Sequence, residues 1–151
     1  SLTACLDSGA FLMGKITFKK KRHHWSQWEI YSSGLPIRGC WITRRLDDYT
    51  YDVEIHSYFF FVLIRETEIF QPQDFFFHLN LANAPDLTEA EKLAEEIFKN
   101  KTKLRDRAFE STLKHLSSLY GEDHLTPEVC SDLFHSIQYS LQQRVFQSIS
   151  D

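Results

Sequence analysis

The hydrophobic pattern of this chain changes its period near residue 85, and that change restricts the fold more than any single motif. Before it, apolar residues recur at every second position; after it, at every third or fourth. In "FLMGKITFKKK", Leu12, Gly14, Ile16 and Phe18 alternate with Met13, Lys15, Thr17 and Lys19, the pattern of a strand covered on one side. "WSQWEIYS" sets Trp28 and Ile30 on one face, and "SGLP" at 33–36 supplies a turn. "IRGCWITRR" reads as the next strand, and "LDD" at 46–48 turns the chain into "YTYDVEIHSY". Pro72 closes the following segment, and "DFFFHLN" makes a short last strand. About six to eight strands with short connections imply mostly antiparallel pairing.

One run breaks the alternation. Tyr58 to Ile64, "YFFFVLI", is apolar throughout. It predicts a strand buried on both faces, between a second sheet and the helices. Such a run covers roughly 23 Å as a strand and about 10 Å as a helix, whereas a spanning helix needs about 20 apolar residues, so it is no membrane anchor.

The second half carries helical stripes. In "APDLTEAEKLAEEIFKN" the start falls at Asp86 or at Thr88, with Thr88 and Glu91 forming a capping box. Leu87, Ala90, Leu93, Ala94, Ile97 and Phe98 then share a face. A second stripe holds Leu104, Ala108, Phe109, Leu113, Leu116 and Tyr120, and Gly121 stops it. Thr126 caps a third helix with Pro127 at its first position, and its stripe runs from Val129 through Leu133, Phe134, Ile137, Leu141 and Val145 to Ile149. Strands followed by helices predict an α+β fold. The expected domain is single, 1–151, with a jelly-roll-like antiparallel β half over about 10–80 and a helical half over about 87–149 packed on it.

Charge and composition narrow the function classes. The net charge of −4 resides in residues 81–151, because residues 1–80 carry nine basic and nine acidic side chains. A globally basic, nucleic-acid-like surface is therefore excluded. Cys5, Cys40 and Cys130 are far apart and form no Cys-x-x-Cys pair, which argues against a thiolate zinc site and for a reducing, cytoplasmic setting. The start, "SLTACLDSGAFLMG", has neither the initiator Met nor the basic and apolar blocks of a secretory leader. No glycine-rich phosphate loop and no Gly-x-Ser-x-Gly elbow occur.

Three groupings bear on chemistry. Asp52, Glu54 and His56 are spaced by two and so share one face of a strand, where two carboxylates and an imidazole suit a hard divalent cation. The same spacing is what a solvated strand end shows, with Tyr51, Val53 and Ile55 inward, and that reading is preferred. Lys19 to His24, within "KKKRHHWSQW", sets basic charge beside Trp25 and Trp28, as single-stranded nucleic-acid sites do, but a solvated strand end accounts for it as well. His115 and His135 sit on helices with no second histidine at i+4; "GEDH" at 121–124 is an exposed loop; His78 reads as a core-edge histidine; Cys40 beside Trp41 reads as a buried thiol.

The β-rich half followed by "RDRAFESTLKHL" and "DLFHSIQYSLQQRVF" resembles prolyl-hydroxylase-type iron(II)/2-oxoglutarate oxygenases, in which a jelly-roll barrel precedes helices. The phenylalanine-rich chain is also similar to small chlamydial proteins of unknown function described as carrying that fold without its metal ligands. The resemblance implies a His-x-Asp/Glu pair, a distant second histidine and an arginine about ten residues later. His56 with Arg65 matches the second half of that set. No His-x-Asp or His-x-Glu exists; the nearest substitute is His24-Trp25-Ser26, and Glu54-Ile55-His56 has the order reversed. The expectation is thus a catalytically silent, oxygenase-like bacterial module that binds an unidentified protein partner, with no catalytic, cofactor or metal residue assigned and neither membrane nor nucleic acid as partner. The alternatives are an iron- or manganese-dependent oxygenase using Asp52, Glu54 and His56, and a metal-responsive nucleic-acid-binding regulator using Lys19–His24.

Overall fold

A computed structural model describes residues 14–23, 26–56 and 78–146. Its elements come in the order the change of period predicts. Five strands, β1 (Ile16–Lys20), β2 (Gln27–Ser32), β3 (Leu35–Arg44), β4 (Tyr51–Ile55) and β5 (Leu79–Ala84), precede three helices, α1 (Leu87–Phe98), α2 (Lys101–Tyr120) and α3 (Pro127–Leu141). A short 3-10 turn, Glu122–His124, separates α2 from α3, and α3 runs on into a π-helical turn, Gln142–Phe146. The chain is α+β, a β half followed by a helical half. The strands form one antiparallel sheet in the order β1-β2-β3-β4-β5. This is a meander of chain neighbours, without the interleaved strand order of a jelly roll among the described residues. The run Tyr58–Ile64, the residues Leu12, Met13, His24, Trp25 and Arg65, the Phe75–Phe77 triplet and Ile149 lie outside the described residues.

Local chemistry sets the strand ends. Ser33 (φ 51°) and Gly34 (φ 82°) both take positive φ, which makes the β2–β3 link a two-residue type I′ hairpin whose twist matches its strands. Pro36, expected in that turn, therefore already lies inside β3, opposite Tyr31. Between β3 and β4, Arg45 binds Asp47 at 2.8 Å and Asp48 accepts from the Thr50 amide at 3.0 Å, closing the turn read at "LDD". β5 runs to Ala84, farther than the sequence suggests.

The helix starts are capped by short polar side chains. Asp86 accepts from the Glu89 amide at 2.8 Å, so Asp86 and not Thr88 opens α1. Asp86 has the extended conformation a cap requires (φ −139°, ψ 167°), which leaves Thr88 inside the first turn. Asn100 caps α2 through the Lys103 amide at 3.1 Å, and Thr126 caps α3 with Pro127 behind it. Gly121 (φ 86°, ψ 157°) ends α2 as expected.

All three stripes meet one face of the sheet. Ile30, Ile42, Val53, Ile55 and Leu79 pack against Ala90, Ala94, Ile97 and Phe98 of α1, Leu104, Ala108 and Leu116 of α2, and Leu133, Ile137 and Leu141 of α3 in one buried cluster. Ring contacts tie α2 to α3: Phe109 meets Phe134 edge-on at 5.5 Å, and the Arg105 guanidinium lies 4.8 Å from the Phe134 ring.

Candidate functional site

The opposite face of the sheet is polar, and antiparallel register assembles it. Residues paired across strands point to the same side. Thr43 stands opposite Asp52, and Trp41 opposite Glu54. Glu29 continues the row on β2 and Lys19 on β1. The sequence-predicted set Asp52, Glu54 and His56 does share a face, as its spacing requires. It is not a solvated strand end, however: Asp52 is only 9% exposed and Glu54 only 7%.

Two asparagines satisfy the Asp52 carboxylate in that position. Asn80 and Asn83 each donate a side-chain amide to Asp52 Oδ1, at 3.0 and 2.7 Å, and Arg45 reaches Oδ2 at 3.7 Å. Residues three apart in a regular strand face opposite ways. Here a bulge brings both to one side: Glu54 pairs with Asn80 but Val53 pairs with Ala82, so Leu81 is the extra residue. Leu81 itself turns to the apolar face and is buried.

Glu54 and His56 form the second part of the cluster. Thr43 Oγ1 donates to Glu54 Oε1 at 2.7 Å, and His78 Nδ1 lies 3.8 Å from the same oxygen. Burial pushes the Glu54 carboxyl above its ordinary value and Asp52 adds to the shift, while the Thr43 bond and His78 oppose it. The His56 and His78 rings are 4.2 Å apart, and His56 meets Trp41 edge-on at 5.2 Å. Lys21 Nζ sits 5.0 Å over the Trp41 ring. Burial, then His78 and Lys21, holds the His56 imidazole below its ordinary pKa. Among the described residues no three His, Cys, Asp or Glu side chains converge as ligands for a metal ion. The reason is visible in the geometry: Asp52 faces its amides, and the two imidazoles pack ring on ring.

Alongside this cluster, a groove of about 500 Å³ separates β5 from α2. On the strand side it is lined by His78 and by Asn80 through Asn83; on the helix side by Arg107, Glu110, Ser111, Lys114, His115 and Ser118. Arg107 and Lys114 are one pair of turns apart on the helix flank next to its buried stripe. His78 is exposed and belongs to both features, so the core-edge position predicted for it is corrected.

The remaining candidates separate. Cys40 is buried and burial drives its thiol pKa far up, so it is a packed side chain without nucleophile character. Trp28 turns to the apolar face, edge-on to Tyr51 at 5.6 Å, and so leaves the basic run Lys19–Arg22. His135 is exposed on α3, and His124 is exposed on the 3-10 turn as predicted for "GEDH". His115, which has no second histidine at i+4, lines the groove. Sequence reasoning passed over Asn80, Asn83, Arg107 and Lys114. The first two had a weak signal, two carboxamides bracketing Leu-Ala; the last two had none beyond a polar helix flank. Among the described residues no helix is long and apolar enough to cross a membrane. No family model matches the chain, and no curated protein or solved structure matches it either.

Proposed function

We propose that the protein is a non-catalytic binding module whose ligand carries negative charge and lies in the groove between β5 and α2. The observation that carries this reading is the lining: Arg107 and Lys114, on the helix side, share the groove with one lining carboxylate, Glu110, among the described residues, while His78 is drawn to Glu54 at its rim. The hydroxyls of Ser111 and Ser118 add neutral hydrogen-bonding groups, while Asn80 and Asn83 wall the groove with their amides held by Asp52. Support for the absence of catalysis comes from how the acids are used. Asp52 is committed to two amides and Glu54 to the Thr43 hydroxyl, so both carboxylates hold strands together. This keeps the binding role implied by the oxygenase-like resemblance without requiring the resemblance. It is preferred to the iron or manganese alternative, which finds no converging ligands among the described residues, and to the basic-run regulator, whose Trp28 faces the core although Trp41 lies under Lys21.

The test is an amide NMR titration of the full chain with inorganic phosphate, with succinate and, as a cationic control, with spermidine. Phosphate or succinate is expected to shift amides of Asn80–Asn83 and of the Arg107–Ser118 flank, and Arg107→Glu with Lys114→Glu to abolish the shifts. Shifts elsewhere only, or shifts unchanged in the double variant, overturn the reading.

A further inference from the structure

The groove has a shape as well as a charge. Asn80, Leu81, Ala82 and Asn83 are consecutive, and the bulge sets Asn80 and Asn83 on one face of the sheet and Leu81 on the other. All of them nonetheless line the groove. What they share is the outer edge of β5, the last strand in the sheet order. Among the described residues no strand pairs with that edge. Its backbone therefore borders the groove along its length, and one donor there is already used, since the Ala82 amide donates to Asn80 Oδ1 at 3.2 Å.

The two walls match in length. His78 to Asn83 spans about 17 Å at strand rise, and Arg107 to Ser118 about 16 Å at helix rise. That is room for one extended segment of roughly five residues. Arg107 and Lys114 stand about 10 Å apart along α2, within side-chain reach of acids at alternate positions of such a segment, which lie about 7 Å apart. No Phe, Tyr or Trp lines the groove among the described residues, so it lacks the stacking platform that a single-stranded nucleic acid would use.

Resting on the anion-binding reading above, we infer that the occupant is an acidic peptide in extended form, added to β5 as a sixth strand with its acidic side chains toward Arg107 and Lys114. Backbone pairing supplies affinity in this arrangement, and the charged helix flank selects the sequence. An edge strand without a pairing partner, as β5 is among the described residues, is a hazard unless a specific partner uses it or a like charge repels its own copies. The cations beside β5 do both, since they attract acids and repel a second copy of the same edge.

A displayed dodecapeptide library selected on the full chain tests this. Enriched peptides are expected to be proline-free in the middle, with acids at alternate positions. Charge reversal by Arg107→Glu with Lys114→Glu is expected to weaken them about tenfold or more, as is N-methylation of a central peptide amide. Hydrogen exchange at Asn80–Asn83 is expected to slow in the complex. Enrichment of non-acidic peptides, of none, or of peptides indifferent to both changes overturns the inference. So does a β5-to-β5 dimer seen by sedimentation. If phosphate or succinate still shifts the groove amides in that event, the peptide inference alone fails; if neither anion does, the binding reading fails with it.

Discussion

Asp52 accepts from two asparagine amides while nearly shielded from water, so losing one amide leaves a buried carboxylate short of a partner. Asn83→Ala is expected to cost about 1.5–3 kcal/mol in chemical denaturation, the range for a hydrogen bond to a charged group. Lys92→Ala, on the exposed side of α1, serves as a near-neutral control. Two neighbours of Asp52 make stability depend on pH in opposite senses. Glu54 has a raised folded-state pKa, so its contribution is full below the unfolded value, near 4.5, and is lost as pH rises through the folded value. His56 has a lowered one, so its contribution is full above 6.5 and is lost as pH falls through the folded value. Tm measured against pH is expected to decline less toward neutral in Glu54→Gln, and less toward acid in His56→Gln, than in the parent. The slopes carry the test, because His56→Gln also removes ring contacts with Trp41 and His78.

At the scale of elements, the caps give the clearest contrast. Asp86→Ala is expected to cost about 1 kcal/mol and Thr88→Ala only a few tenths, because Asp86 holds the Glu89 amide and Thr88 lies within the turn. Gly121→Ala is expected to cost about 1–3 kcal/mol, since φ 86° with ψ 157° is a conformation nearly confined to glycine. The three helices were legible because their apolar stripes and stop signals are local. The start of α1 was ambiguous by two residues because two capping residues stand close together, and only the extended backbone at Asp86 decides between them. β5 was legible at its beginning alone. The bulge at Leu81 breaks the period of two, and Asn and Ala are poor strand formers, so "NLANA" does not read as a strand. The grouping of Asp52, Glu54 and His56 was legible from spacing. Its burial was not, because the shielding asparagines come from a strand beyond position 78, where Asn83 pairs with Asp52 and only the bulge brings Asn80 to the same side.

Across the whole molecule, one buried cluster joins the sheet to all three helices. Ile42→Ala in the sheet and Leu116→Ala in α2 are each expected to cost about 2–5 kcal/mol, and far-UV and near-UV signals are expected to lose amplitude at one common midpoint in both variants. Separate midpoints would mean that the β half and the helical half melt independently. The sequential pairing of the strands also bears on how the chain emerges during synthesis. Every described strand precedes the helices in the chain, so each can zip onto its predecessor as it emerges from the ribosome. The greasy side they expose has nothing to cover it until α1, α2 and α3 emerge in turn, so a ribosome stalled after β5 has cleared the exit tunnel but before the helices have done so presents a nascent chain poised to aggregate or to recruit a chaperone.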